Sequence, residues 1–303
     1  MQCIYALIHS KDDSLEKQEV FLKDSIENMY TLYLLMLSLM AEIHSFASSQ
    51  VALSTKKYLE NASDSYPNKE KFLNNKMLLQ IAENKSLKEV LKQRKLKNWY
   101  LNEEYVKLIY KEIAESKAYS NYMQTPTSNY EEDRQLIKLL FEEVIAPNEK
   151  IYDYFEDDKL TWVDDIPIVN TFIVKQLKRV KENESETFFL PNLHKDDDLQ
   201  YAKDLLTKTL LHNAEWEREI AGKTPNWDKD RIADIDSILL KMAICELLNF
   251  SSIPEKVTIN EFLEIAKEYS TPKSSIFING ILDKLVKEYK AEGKLNKTGR
   301  GLL

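Results

Sequence analysis

Apolar residues recur at helical spacing along most of this chain, and no stretch alternates as a half-buried strand requires. The pattern is already running at the first residue. Residues 1–9, with Gln2, Tyr5 and Ala6 and no cap before them, read as the end of a helix whose start would precede Met1. A second helix is predicted from Ser14 to about Ala47, ending in the polar run Ser48-Ser49-Gln50. The polar stretch 61–71, which includes Pro67, marks a loop or linker. Spacing then predicts a long charged helical region from about Ser86 to Tyr122, closed by Thr125-Pro126, and shorter amphipathic helices through 131–145, 148–156 and 165–181. Pro191 and the triple Asp196-Asp197-Asp198 set a boundary.

Beyond that boundary the signals sharpen. Asp198 is expected to cap a helix reaching about Ala221, with Gly222 as its stop. Ile235, Ile238, Leu239, Met242, Ala243 and Leu247 trace one face of the next helix, which ends before Ser251 and Pro254. Thr258 and Glu261 have capping-box spacing, and Thr271-Pro272 reads as a cap followed by proline at the first helical position. The last helix carries Phe277, Ile278, Ile281, Leu282, Leu285 and Tyr289. The expected fold class is all-α, without an internal repeat.

Composition narrows the chemistry. Only five glycines occur in 303 residues, at positions 222, 280, 293, 299 and 301, far below the average share of roughly 7%. No G-x-G-x-x-G turn, P-loop or G-x-S-x-G elbow can be drawn, and type I′ hairpins are disfavoured. The net charge is −8, and 131–165 alone holds 12 acidic and 4 basic side chains, so the remainder is balanced and leaves room for a local nucleic-acid surface. Cys3 and Cys245 stand far apart with no C-x-x-C, which points away from a disulfide framework or zinc site and towards a reducing cytoplasm. The 14 uncharged residues 28–41, between Glu27 and Glu42, fall short of a membrane span, which needs about 20. They are expected to form a buried core helix, and no membrane partner is expected.

His9, His44, His194 and His212 have no metal-ligand spacing, and no Ser or Cys nucleophile stands in a triad-like pattern. The expectation is therefore no enzyme, no metal and no cofactor. The acidic block 131–165 reads as a solvated face. The run Lys85, Lys88, Lys92, Arg94, Lys95, Lys97 has one intervening acid, Glu89, and is followed by Trp99 and Tyr100. Such a run can track a phosphate backbone with aromatics available for base stacking; the alternative is a solvated helix with core aromatics. A second basic region, Lys284 to Arg300, has the composition of a fraying tail. Glu246 falls in an apolar register and needs donors, expected from the amides that open the Thr258 helix. Asn279-Gly280 interrupts nothing helical, so its glycine is expected to let another helix approach.

These last segments resemble the NusB family of bacterial transcription antitermination factors. The resemblance is carried by Arg231, Asp234 and Asp236, then Leu239, Met242, Ala243 and Glu246-Leu247, then Ile253-Pro254, Val257, Ile259 and Asn260-Glu261. It continues through Ala266-Lys267 and Tyr269 to Phe277-Ile278-Asn279-Gly280-Ile281-Leu282-Asp283-Lys284, and extends more weakly back to about Asp198. Gln2-Cys3-Ile4-Tyr5-Ala6 resembles the Q-A-L-Y stretch of the family's first helix. The resemblance implies NusB-like paired helical bundles and a non-catalytic role. It further implies pairing with the ribosomal protein NusE, joint binding of single-stranded boxA-type RNA of nascent ribosomal transcripts, and a place in the RNA polymerase antitermination complex. By the same resemblance, Tyr5 and Asp236 are expected to meet NusE. Lys267, Lys273, Ser274, Ser275 and Phe277 are expected to lie near RNA, where a helix N-terminus can receive phosphate and an aromatic ring can stack on a base.

Two departures follow. The family's arginine-rich RNA-binding segment would lie before Met1, so it is expected upstream or replaced by Lys92, Arg94, Lys95 and Lys97. Typical members are also about half this long. The expected division is therefore 1–50 as N-terminal helices of the NusB-like fold, 51–195 as a helical insertion, and 196–303 as the C-terminal helical region. Two other functions fit an all-α chain: a scaffold that binds proteins only, or a relic of the helical domain of an rRNA cytosine methyltransferase. The missing glycine-rich cofactor turn argues against the second.

Overall fold

A computed structural model describes residues 1–10, 14–57, 66–192, 195–223 and 232–298, and contains helices but no strand among them. In chain order the helices are α1 (Gln2–His9), α2 (Leu15–Lys57), α3 (Lys76–Ala82), α4 (Lys85–Gln93), α5 (Asn98–Leu101), α6 (Glu103–Glu115), α7 (Lys117–Met123) and α8 (Tyr130–Leu140). A π-helical turn, Phe141–Ile145, follows; then come α9 (Glu149–Asp158), α10 (Trp162–Arg179) and a 3₁₀ turn, Glu186–Phe189. The chain closes with α11 (Asp196–Leu211), α12 (Asn213–Lys223), α13 (Asp234–Asn249), α14 (Glu255–Tyr269) and α15 (Ser274–Ala291). These helices form two compact units: unit 1 is Met1–Asp24 with His194–Leu303, and unit 2 is Ser25–Leu193. The sequence-based division at 50 falls inside α2, whereas residues 25–50 lie in unit 2.

Unit 1 is organised around α13. The sequence pattern suggested one apolar face, but all ten residues 238–247 are buried. A helix without a polar face packs on every side, and α13 is covered by α1, α11, α12, α14 and α15. Its buried charged groups all have partners, as burial demands. Lys241 Nζ donates to Asn213 Oδ1 at 2.7 Å and to Glu217 Oε1 at 2.8 Å. Glu246 accepts from the Tyr201 hydroxyl on α11. The donor expected in the amides of α14 is replaced by this phenol, whose own proton is held more tightly by burial and then by the carboxylate.

Several helix ends in unit 1 depart from the sequence signals. The predicted 198–221 helix breaks at His212, and Gly222 lies within α12, which is described as far as Lys223. Asp198 sits in the first turn of α11, where its carboxylate accepts from the Lys195 N–H at 2.8 Å. Pro254 starts α14 ahead of Thr258, which is fully buried inside the helix and caps nothing. Likewise α15 opens at Ser274, two residues after Pro272. Gly280 is exposed, and a methyl group there would meet nothing within 4 Å. The expected helix approach is absent among the described residues.

The basic tail is tied down through Thr298. Lys297 Nζ donates to the carbonyls of Glu246 (3.1 Å) and Phe250 (2.9 Å), and the Thr298 N–H donates to Ser251 at 2.8 Å. Each carbonyl already accepts a backbone N–H, from Phe250 and Ile253 respectively, and the lysine adds a second, charged donor at the end of α13. Arg300 lies outside the described residues, as do Gly299, Gly301, His194 and Arg231.

Unit 2 has α2 as its core helix. Its stretch 15–53 is long and apolar enough to cross a membrane by composition, yet residues 32–40 are all buried within the unit. Aromatic side chains from later helices anchor to it: Trp99 Nε1 donates to the Leu35 carbonyl at 2.9 Å, and Trp162 Nε1 to that of Asn28 at 2.9 Å. Tyr33 donates to Gln176 Oε1 on α10 at 2.5 Å. The acidic block is only partly a solvated face. Asp133 is buried and accepts from the Lys76 N–H (2.8 Å), the Tyr122 hydroxyl (2.6 Å) and the Ser128 hydroxyl (2.5 Å). The predicted long helix 86–122 is four short ones. α4 ends where Lys95 turns left-handed at φ 56, and Ser116 leaves the helical region to cap α7.

Candidate nucleic-acid and partner interface

The start of α13 carries two aspartates that face different surroundings. Asp236 is buried; its Oδ1 accepts from the Ser270 hydroxyl at 2.6 Å and its Oδ2 from the Ser274 hydroxyl at 2.7 Å. Ser270 ends α14 and Ser274 begins α15, so one carboxylate fixes the turn between them. Thr271 adds a hydroxyl contact to Ser274 at 2.8 Å. Ser274 is itself buried and engaged. The side chains expected to touch separate partners, Asp236 and Ser274, are bonded to each other.

What this turn presents outward is different. Lys273 is exposed at the N-cap position of α15, Ser275 is half-buried, and Phe277 is half-buried against the unit 1 core. The large apolar side chain on the surface is its neighbour Ile276, which is 74% exposed. Lys267, on α14, is exposed and paired with Glu264 at 2.6 Å.

On α1, Tyr5 is 41% exposed, and its ring centre lies 4.3 Å from that of His9. His9 Nε2 is 3.2 Å from Asp234 Oδ2, which joins α1 to the start of α13. A cavity of about 270 Å³ opens beside this pair, bounded by Ile8, Ile220, Glu217 and Lys241 among others. The sequence reading missed His9 and Asp234; the helical i, i+4 spacing of Tyr5 and His9 was the available signal.

The third group lies in unit 2. Lys92, Lys95 and Lys97 are exposed, and none has a carboxylate within 4 Å among the described residues. Arg94 is different. Its guanidinium lies 3.4 Å from Glu27 Oε2 and 4.9 Å from the centre of the Tyr30 ring. Trp99 is buried, so of the two aromatics expected to stack on bases only Tyr100 is presented, at 82% exposure. No group of His, Cys, Asp and Glu able to hold a metal occurs among the described residues, and Cys3 and Cys245 are buried and free.

Comparison with known proteins places these groups in context. The model of the NusB family matches residues 166–287. The transcription antitermination protein NusB of Salinibacter ruber is 46% identical over 103 residues, 34% of this chain and 64% of that protein. That of Chloroherpeton thalassium is 46% identical over 106 residues, 34% of this chain and 50% of the relative. That of Geobacter sulfurreducens is 43% identical over 93 residues, 31% of this chain and 67% of the relative. The chain thus spans between half and two thirds of the length of these curated relatives. No solved structure matches. The matched segment begins in α10, upstream of the Asp198 limit read from the sequence, and includes α11 to α14 and most of α15. It contains Asp236, Lys267 and the turn 270–277, and it excludes Tyr5 and the basic run.

Proposed function

Because the chain belongs to the NusB family, we propose that it is a non-catalytic transcription antitermination factor of the cytoplasm. In this reading it binds boxA-type single-stranded RNA together with NusE, as part of the RNA polymerase antitermination complex. The observation that supports this most is the α14–α15 turn. It lies in the family-matched segment and is pinned by Asp236 through Ser270 and Ser274. It presents Lys273, Ser275 and Ile276 at the start of an 18-residue helix, with Phe277 at the edge of the core. Free amides and the positive end of the helix dipole favour phosphate there, and a lysine adds a mobile charge.

Asp236 and Ser274 then act as positioning residues: they hold the turn from inside. The side for NusE is α1, where Tyr5 and the His9–Asp234 pair form a surface of aromatic and polar groups. Such a mixture suits a protein interface better than a phosphate backbone, because the acidic member repels RNA.

Fluorescence anisotropy with a labelled boxA RNA, titrated with the full chain in the presence and absence of NusE, tests this reading. The expected result is binding that tightens when NusE is added and weakens when Lys273 and Phe277 are replaced by alanine. Absence of RNA binding under both conditions would replace it with that of a protein-only scaffold.

A further inference from the structure

The unit 2 surface at the end of α4 has a feature that folding alone does not explain. Helix α4 closes with the Leu96 N–H bonded to the Leu91 carbonyl at 2.9 Å and the Arg94 N–H bonded to that of Val90 at 2.9 Å. In this kind of helix end the residue that turns left-handed is usually glycine, because a Cβ there is crowded by the backbone. Here it is Lys95, at φ 56, the sole non-glycine residue with positive φ among those described. Stability would favour glycine at this place, yet the chain carries a long cation whose ammonium has no acidic partner among the described residues. Left-handed backbone at a residue other than glycine is strained, and such strain clusters at binding and active sites.

The neighbours agree. Lys92 lies on the last turn of α4 and Lys97 immediately before α5, both exposed and likewise without a carboxylate within 4 Å among the described residues. Many other lysines of the chain are paired, as Lys76 is with Glu182 and Lys107 with Glu103. Short α5 carries two aromatics with opposite fates. Trp99 is locked into the core by its bonds to Leu35 and Ser38, which leaves the adjacent Tyr100 directed into solvent. Three exposed cations and one exposed ring thus fall within the nine residues 92–100, a combination suited to single-stranded nucleic acid: charge follows the phosphates, and the ring stacks on a base of any identity. Arg94 is excluded, since Glu27 and Tyr30 already hold it.

We propose that Lys92, Lys95, Lys97 and Tyr100 form a sequence-independent binding site for single-stranded RNA on unit 2, outside the segment shared with NusB relatives. The choice of RNA rests on the transcription reading; the chemistry of the site is that of a phosphate backbone with stacked bases.

A labelled 12-nucleotide oligouridylate, which contains no boxA, is titrated with the full chain at several salt concentrations. Replacing Lys92, Lys95 and Lys97 together by glutamine is expected to weaken binding at least tenfold. It should also reduce the salt slope by about two, at roughly 0.7 per phosphate contact on a single strand. Tyr100→Ala is expected to weaken binding by about fivefold or more, the low end for losing one stacked base. Lys95→Gly separates structure from use: it should raise the melting temperature while weakening oligouridylate binding, and Lys95→Arg should preserve binding. Unchanged affinity and salt slope in the triple variant, with folding intact by circular dichroism, would overturn the proposal and leave the patch to a protein partner. Because the probe lacks boxA, loss of the boxA–NusE reading would not affect this result, nor would its failure affect that reading.

Discussion

Asp236 and Ser274 are 38 positions apart in sequence and share a buried hydrogen bond, the serine hydroxyl donating to Asp236 Oδ2 at 2.7 Å. That contact makes the beginning of α13 the support for the beginning of α15. Asp236→Ala removes the acceptor for two hydroxyls, and hydrogen bonds to a charged group contribute about 1.5–3 kcal/mol each. The variant is expected to lower the melting temperature by several degrees and to speed amide exchange in residues 270–277. If Asp236 acted only at a partner surface, the melting temperature would stay unchanged while NusE binding fell.

Tyr201→Phe examines the second buried carboxylate of α13. The phenol is the hydrogen-bond donor to the Glu246 side chain, and leaving a buried charged acceptor without a partner costs about 2 kcal/mol or more. Chemical denaturation should show that loss. A neutral outcome would mean that another group satisfies Glu246.

Gly280→Ala is expected to stabilise the chain. Position 280 is exposed in the middle of α15, and an added methyl group meets nothing within 4 Å. Alanine in a helix interior is favoured over glycine by about 0.5–1 kcal/mol. A lower melting temperature in the variant would indicate a close helix approach at this position.

The residues just discussed show which parts of the molecule could be read from sequence. Helical periodicity gave the fold class and the late helices, because apolar spacing reports burial directly. The NusB resemblance was legible in Asp236, Glu246-Leu247 and Phe277 to Lys284, and the matched segment 166–287 contains all of them. Side-chain partners were not legible. Glu246 finds a tyrosine 45 positions away, and Asp133 finds donors on two helices and a loop. Such pairs depend on how helices pack, which local pattern does not encode. Capping rules misplaced Thr258 for a related reason: Pro254 fixes the chain direction first, and the threonine is carried into the core. The basic run looked uniform in sequence, and only packing separates Arg94 and Trp99 from the cations and ring that reach solvent.

Asp165 supplies a pH-dependent test in unit 2. It lies in the first turn of α10 beside Asp164, and burial, followed by that like charge, pushes its carboxyl up to about 6. An unfolded aspartate ionises near 3.9, so between roughly pH 4 and 6 the folded chain holds a proton that the unfolded chain has lost. Stability is therefore lost as pH rises through that window, and the penalty is complete above it. Asp165→Asn is expected to raise the melting temperature by a few degrees at pH 7 and to change it little at pH 4. Equal effects at both pH values would contradict the assignment.

Antitermination by this chain is tested by a read-through assay. RNA polymerase transcribes two templates that differ only in an intact or scrambled boxA ahead of a terminator, with NusE and the other elongation factors present. The full chain is expected to raise terminator read-through on the intact template and not on the scrambled one. Equal read-through on both templates, with and without the chain, would contradict that expectation.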